Sequence, residues 1–166
     1  MKLLLLLFFF LGPITSAFGQ DTSWRSITFA PGLTVQLPAI TSKEDNPEEK
    51  IFYGDIAGCK YVVLYGMRDF SGHDSSLRRF MMNMIQAGML DQMDMASVAY
   101  VAVDTSMMGF SGRWMRSVPP AIPGQILSYS TLLNGHLFLM GVYCKRPLNA
   151  RDASMRRRFF ASAVLP

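Results

Sequence analysis

Asn134-Gly135 restricts the fold of this chain more than any other pair of residues. Asn-Gly supplies the two positive-φ positions of a two-residue turn whose twist matches that of paired strands. It stands between Ile126–Leu133 and His136–Cys144, two largely apolar runs. The spacing predicts an antiparallel β-hairpin near the end of the chain.

Other segments read the same way. Ile27 and Phe29 alternate with Thr28 and Ala30, Pro31-Gly32 supplies a turn, and Leu33, Val35 and Leu37 alternate in return. This predicts a first hairpin over 27–38. Ala39 to Lys50 is polar, acidic and contains Pro47, which predicts an exposed loop. Strands are expected at Ile51–Tyr53 and Lys60–Met67, joined around Gly54 and Gly58. Tyr61-Val62-Val63-Leu64-Tyr65 is apolar on both alternating sets, as in a central strand covered on two faces. Ser97–Asp104 and Met108–Ser117 are further strand candidates. Val118–Gly124 carries three prolines and is expected to be a loop.

Two helices complete the pattern. Asp74, Ser75 and Ser76 are good N-caps for a helix running to about Met93. Leu77, Phe80, Met81, Met84 and Ile85 form an apolar stripe at three- and four-residue spacing, expected to face the core. Arg78, Arg79, Asn83 and Gln86 are expected on the solvent face. Asn149 caps a last helix, and Asp152 at its third position resembles a capping box. Ala153, Phe159, Phe160 and Ala163 point its apolar side inward, and Val164 and Leu165 are expected to tuck under the sheet edge. Strands adjoin in hairpins, not βαβ units, so the fold class is α+β. We expect an antiparallel sheet of about six or seven strands flanked by two main helices.

Lys2, an apolar run from Leu3 to Leu11, and Ala17-Phe18-Gly19 have the order of a secretory signal peptide. The run is shorter than the roughly 20 residues of a membrane span. Residues 1–19 are expected to be a signal cleaved after Gly19, leaving 20–166 as a single exported domain without a transmembrane segment. Residues 20–104 carry 7 basic and 11 acidic groups, a balance of −4, whereas 105–166 carry 8 basic groups against Asp152, a balance of +7. Such asymmetry suits an anionic partner or two halves interleaved in one fold. No nucleic-acid reader motif is present. The two cysteines, Cys59 and Cys144, either form a disulfide in an oxidising compartment or remain buried thiols.

The segment Ile27–Pro38 resembles the opening hairpin of the PsbP-like fold. Gly109-Phe110-Ser111-Gly112 is similar to that fold's mid-chain turn, and Leu133–Leu139 and Arg158–Ser162 resemble its last hairpin and last helix. The resemblance spans most of 24–165. It implies an α/β/α sandwich and transfers no functional residue, because the shared positions are turns and core. The fold hosts photosynthetic, GTPase-release and many exported bacterial proteins, so it implies no activity.

Chemistry is sparse. Gly109-Phe110-Ser111-Gly112-Arg113 lacks the second glycine of a nucleophile elbow and leads into a strand. Asp69, Ser71, His73, Asp74 and Ser75 hold all three triad residue types, but chain neighbours rarely reach triad geometry. A thiol nucleophile would pair Cys59 or Cys144 with His73 or His136 in an apolar setting that keeps thiols inert. No zinc-ligand spacing occurs. Methionine is abundant, with Met81, Met82, Met84, Met89, Met93 and Met95 in one segment. Thioethers select Cu(I), and a copper or silver site would use Met81, Met84, Met89 and Met93. Packing is the competing account, since Met is an adaptable core filler. Exposure separates the two: a metal site requires Met89 and Met93 to face solvent. Arg156, Arg157 and Arg158, near Lys145, Arg146 and Arg151, form a candidate site for an anionic or protein partner. The expectation is an exported, non-enzymatic binding or accessory protein with no cofactor. The alternatives are Cu(I)/Ag(I) handling and a hydrolase with an unrecognised site.

Overall fold

The computed structural model describes residues 23–30, 32–107, 109–118 and 125–164. The expected signal segment, the prolines of the Val118–Gly124 loop and Leu165 lie outside them. In chain order the elements are β1 (Trp24–Ala30), β2 (Leu33–Pro38), β3 (Ile40–Asp45), β4 (Glu49–Ile56), β5 (Cys59–Asp69), α1 (Ser75–Gln92), β6 (Tyr100–Met107), β7 (Phe110–Ser117), β8 (Gln125–Leu133), β9 (His136–Cys144) and α2 (Ala150–Ala161).

β1 and β2 pair as a separate two-stranded hairpin, and the remaining strands form one antiparallel sheet in the order β3-β4-β5-β9-β8-β7-β6. Two meanders make this sheet. The first runs β3-β4-β5 outward-in. Helix α1 then crosses one face to the far edge, and β6-β7-β8-β9 returns to the middle, where β9 pairs with β5. Asn134 and Gly135 both take positive φ, 50° and 84°, as the tight β8–β9 turn requires. The amide of Phe70 donates to the Gly135 carbonyl at 2.8 Å, tying the exit of β5 to that turn. At the other end of the same seam Cys59 is paired with Cys144 in register, and the two form a disulfide with a Cα separation of 4.2 Å.

Each face of the sheet buries its own core. On one side β1, β2 and α2 bring Ile27, Phe29, Val35, Leu37, Phe159 and Phe160 against Tyr61, Val63, Tyr129, Phe138 and Met140. On the other, α1 covers Val62, Leu64, Met115, Leu137 and Leu139 with Met89, Leu90 and Met93. Tyr61–Tyr65 is buried throughout because both layers meet on it. The Val164 backbone pairs with Thr34 at 2.8 and 2.9 Å, but its side chain faces solvent. Gly54 has no room for a side chain, since a Cβ there would lie 2.1 Å from the Pro38 carbonyl as the chain passes between sheets.

Helix α2 starts on a complete capping box. The Asn149 side chain accepts from the Asp152 amide at 2.9 Å, and Asp152 accepts from the Asn149 amide at 2.8 Å. The buried Asp152 also receives a bidentate pair from Arg146 at 2.6 and 3.0 Å. Arg146 Nε donates to the Ala57 carbonyl at 2.8 Å, which ties this cap to the β4–β5 turn.

Two expectations are corrected. Residues 40–45 are a strand and not part of a loop: β3 pairs with Lys50–Gly54 and turns through Asn46, whose side chain accepts from the Glu48 and Glu49 amides. Its side chains are largely exposed, so it shows no apolar alternation to betray it. In α1 the expected core stripe is met only in part: Met81 and Ile85 pack against the core, and the rest of it does not. Leu77, Phe80 and Met84 are 41%, 59% and 57% exposed, and Gln86 is buried. Met82, Gln86, Met89 and Met93 recur at four-, three- and four-residue spacing and define the sheet-facing side. At 100° per residue, Phe80 points about 200° from Met82. The anchored C-terminal half, continued by buried Met95 and Val98, sets which stripe faces in.

Three outcomes follow from this packing. Met89→Ala should cost about 2–5 kcal/mol in urea unfolding, whereas Met84→Ala should stay within about 0.5 kcal/mol. Replacing Cys59 and Cys144 by Ala should cost about 2–5 kcal/mol by loop-closure entropy, with no further loss on adding reductant. Asp152 is held below the usual carboxylate range, first by the Arg146 hydrogen bond and then by the Asn149 amide, against the opposing effect of burial. The folded state therefore binds this proton more weakly than the unfolded chain. The resulting stability is complete above about pH 4 and lost as pH falls through the folded value. Asp152→Asn should lower stability at pH 7 and flatten the acid limb of a stability–pH profile.

Candidate functional site: a cationic cleft beside β6

The first turns of α1 do not rest on apolar sheet. They overhang β6 and β7 and leave a cleft of about 740 Å³ lined by Ser75, Arg78, Arg79, Met82, Asp104 and Ser106. Asp74 sets the start of the helix by accepting from the Leu77 amide at 2.9 Å. That start places Arg78 and Arg79 on either side of the sheet-facing direction. β7 lines the cleft with Ser111 and Gly112, and its next residue, Arg113, has a side chain 16% exposed that pairs with Asp104. Period-2 alternation puts Arg113 on the same face as buried Met115, beneath the helix.

Two guanidinium groups thus share one carboxylate, and Arg78 lines the same cleft. Asp104 pairs with Arg113 and, at 3.2 Å, with Arg79. Arg78 donates through Nε to the His73 carbonyl at 2.6 Å and has no carboxylate partner among the described residues. The Nε of Arg113 is buried without a hydrogen-bond partner. Ser130, next to Arg113 in the sheet register, has a buried hydroxyl that is also unpartnered. The Gln86 amide donates to the Arg113 carbonyl at 3.1 Å, tying α1 to β7. Two exposed guanidinium groups against one shared carboxylate leave a positive excess that favours an anion through charge-assisted hydrogen bonds.

The residues singled out by sequence are placed elsewhere. Met89 and Met93 are buried at 2% and 5% exposure, Met84 points to solvent and Met81 is half-buried, so the four do not converge on one site. No cluster of three His, Cys, Asp or Glu residues with metal-ligand geometry occurs among the described residues. Cys59 and Cys144 are joined to each other, which removes the thiol nucleophile. Asp69 accepts from the Ser71 amide at 2.7 Å, and that bond is the main cause of its lowered pKa. His73 lies against Phe70 and His136 against Tyr65, and neither imidazole bonds a Ser hydroxyl among the described residues. Ser111 sits in the β6–β7 hairpin, where its carbonyl accepts from the Thr131 hydroxyl.

The basic run on α2 is dispersed. Arg158 stacks on Trp24 at 4.4 Å, Arg156 is half-buried, Arg146 is taken by Asp152, and Lys145 pairs with Asp94 at 2.9 Å. Arg151 and Arg157 remain exposed. The cleft residues were missed because each looked unremarkable alone. Two signals were present: Gln86 in phase with Met82 and Met89, and Arg113 in phase with Met115.

No protein-family model matches the chain, and no curated protein matches it in sequence. A solved structure of a Pseudomonas aeruginosa protein of unknown function is similar over 81% of this chain and 88% of its own, with 8% identity and a TM-score of 0.35. A likeness of that size carries no argument for function.

Proposed function

We propose that this chain is an exported, non-enzymatic binding protein that takes an anionic group into the cleft between α1 and β6–β7. The observation that carries this reading is the cleft wall, where Arg78 and Arg79 meet a single carboxylate, Asp104, that Arg79 already shares with the largely buried Arg113. Export is supported by the signal-like residues 1–19 and fits the Cys59–Cys144 bond, since such bonds persist in oxidising compartments. The PsbP-like resemblance enters this reading as a likeness of architecture alone.

Titration of the purified protein with glutarate and with inorganic phosphate, followed by amide chemical shifts, tests the cleft. Shifts should concentrate at Arg78, Arg79, Ser106 and Arg113 and weaken with added salt. Arg78→Ser should weaken binding about tenfold, the effect of one charge-assisted hydrogen bond of roughly 1.5 kcal/mol. Arg157→Ser should leave it unchanged. The reverse pattern would move the site to the exposed face of α2, and no response to either anion would end the anion reading.

A further inference from the structure

The seven-stranded sheet has two edges, and they are built differently. β3 carries Lys43, Glu44 and Asp45, has a bulge between Ile40 and Ser42, and is followed closely by Pro47. Charge, bulges and nearby proline are the devices that keep an edge from pairing with another chain. β6, at the opposite edge, has neither bulge nor nearby proline, and Asp104 is its one charge. It is eight residues long, pairs with β7 in unbroken register, and contains neither Lys nor Pro. Its Tyr100, Val101 and Val103 are 43%, 39% and 53% exposed. Among the described residues no strand covers its outer side.

The two faces beside this edge also differ. On the α1 face lies the cationic cleft, bordered by Asp104 and Ser106. On the opposite face Val103, Thr105, Trp114, Arg116 and Leu127 line a mainly apolar groove of about 430 Å³. Side chains of an extended strand alternate between faces. A strand added outside β6 would direct one set of side chains toward Arg78 and Arg79 and the other into the Trp114 groove.

We propose that β6 accepts an extended segment of a partner protein as an additional strand. Acidic side chains of that segment face the cleft arginines, and apolar ones lie along Val103, Trp114 and Leu127. This deepens the cleft reading above and rests on it. In strand addition the main chain supplies affinity and alternate side-chain pockets supply selectivity. Charge argues against a second copy of this chain as the occupant. An antiparallel copy of β6 would bring its own Arg79–Asp104–Arg113 cluster, with the same positive excess, alongside this one.

The test uses an eight-residue capped peptide alternating Glu and Val, with a Lys–Val counterpart. Two further forms of the Glu–Val peptide are N-methylated, one at all Glu amides and one at all Val amides. Amides of alternate residues point to opposite edges of a strand, so only one methylated set can face β6. The Glu–Val peptide should bind and the Lys–Val peptide should not. One methylated form should bind like the parent, while the other should lose at least tenfold. Val103→Lys, which gives β6 the kind of charge that β3 carries, should weaken the peptide at least tenfold while leaving glutarate binding intact. If both methylated forms bind like the parent, side chains alone are read and strand addition is overturned, though the cleft reading survives. If glutarate binds and the Glu–Val peptide does not, the result is the same. If neither binds, both readings fall. A dimer of the unliganded protein by light scattering, made monomeric by Val103→Lys, would assign the edge to a second copy and overturn the proposal.

Discussion

The pairing of β5 with β9 is the interaction on which the rest of the structure depends. It joins two meanders that are otherwise connected only through α1. It also creates the central ribbon, Tyr61–Tyr65 against Phe138–Val142, on which both cores are built. Its two ends are held in different ways. The Cys59–Cys144 bond closes one, and the Phe70 amide on the Gly135 carbonyl fastens the other. Arg146 extends the closed end outward by linking the β4–β5 turn to the cap of α2. The sheet and the last helix therefore meet within a few residues of the disulfide.

The α1 side is looser by construction. The fully buried apolar residues of the helix lie at its end, Met89, Leu90 and Met93, with Met81, Met82 and Ile85 only partly buried. Its first half stands over Arg113, Ser130 and Asp104, and its outward stripe of Leu77, Phe80 and Met84 faces solvent. Polar groups beneath a helix forgo part of the packing that an apolar floor would give. In return they leave a recess with directional donors, which an apolar floor cannot provide. The cleft and the weak seating of this helix are two aspects of one arrangement.

Much of the architecture was legible in the chain. Asn134-Gly135, the unbroken apolar run at Tyr61–Tyr65 and the Asn149–Asp152 cap each act through local chemistry, and each formed as the residues imply. What escaped notice depended on distant partners. β3 is a strand because β4 offers it an edge, and no pattern in Thr41-Ser42-Lys43-Glu44 records that. α1 has two apolar stripes, and the choice between them was made by Met95 and Val98 beyond its end. The cleft had the same origin. Arg78, Arg79, Arg113 and Asp104 come from three elements, and only the crossover of α1 brings them together. The arginine run at 156–158 looked more like a site because it is contiguous, yet Arg158 is stacked on Trp24 and Arg156 is half-buried.

Chain order and sheet order disagree at one place, and this has a consequence for how the molecule is completed. β9 is the last strand to be synthesised but lies beside β5 near the middle of the sheet. A chain emerging N-terminus first makes β3-β4-β5 early, with the open side of Tyr61–Tyr65 awaiting a partner 85 residues from Cys59 along the chain. Pairings of such separation are slow to form and leave sticky edges exposed meanwhile. Until β9 arrives, β5 and β8 each keep one unpaired side. The cysteine pair meets only when that last strand docks, so its oxidation records a finished sheet and cannot guide an unfinished one.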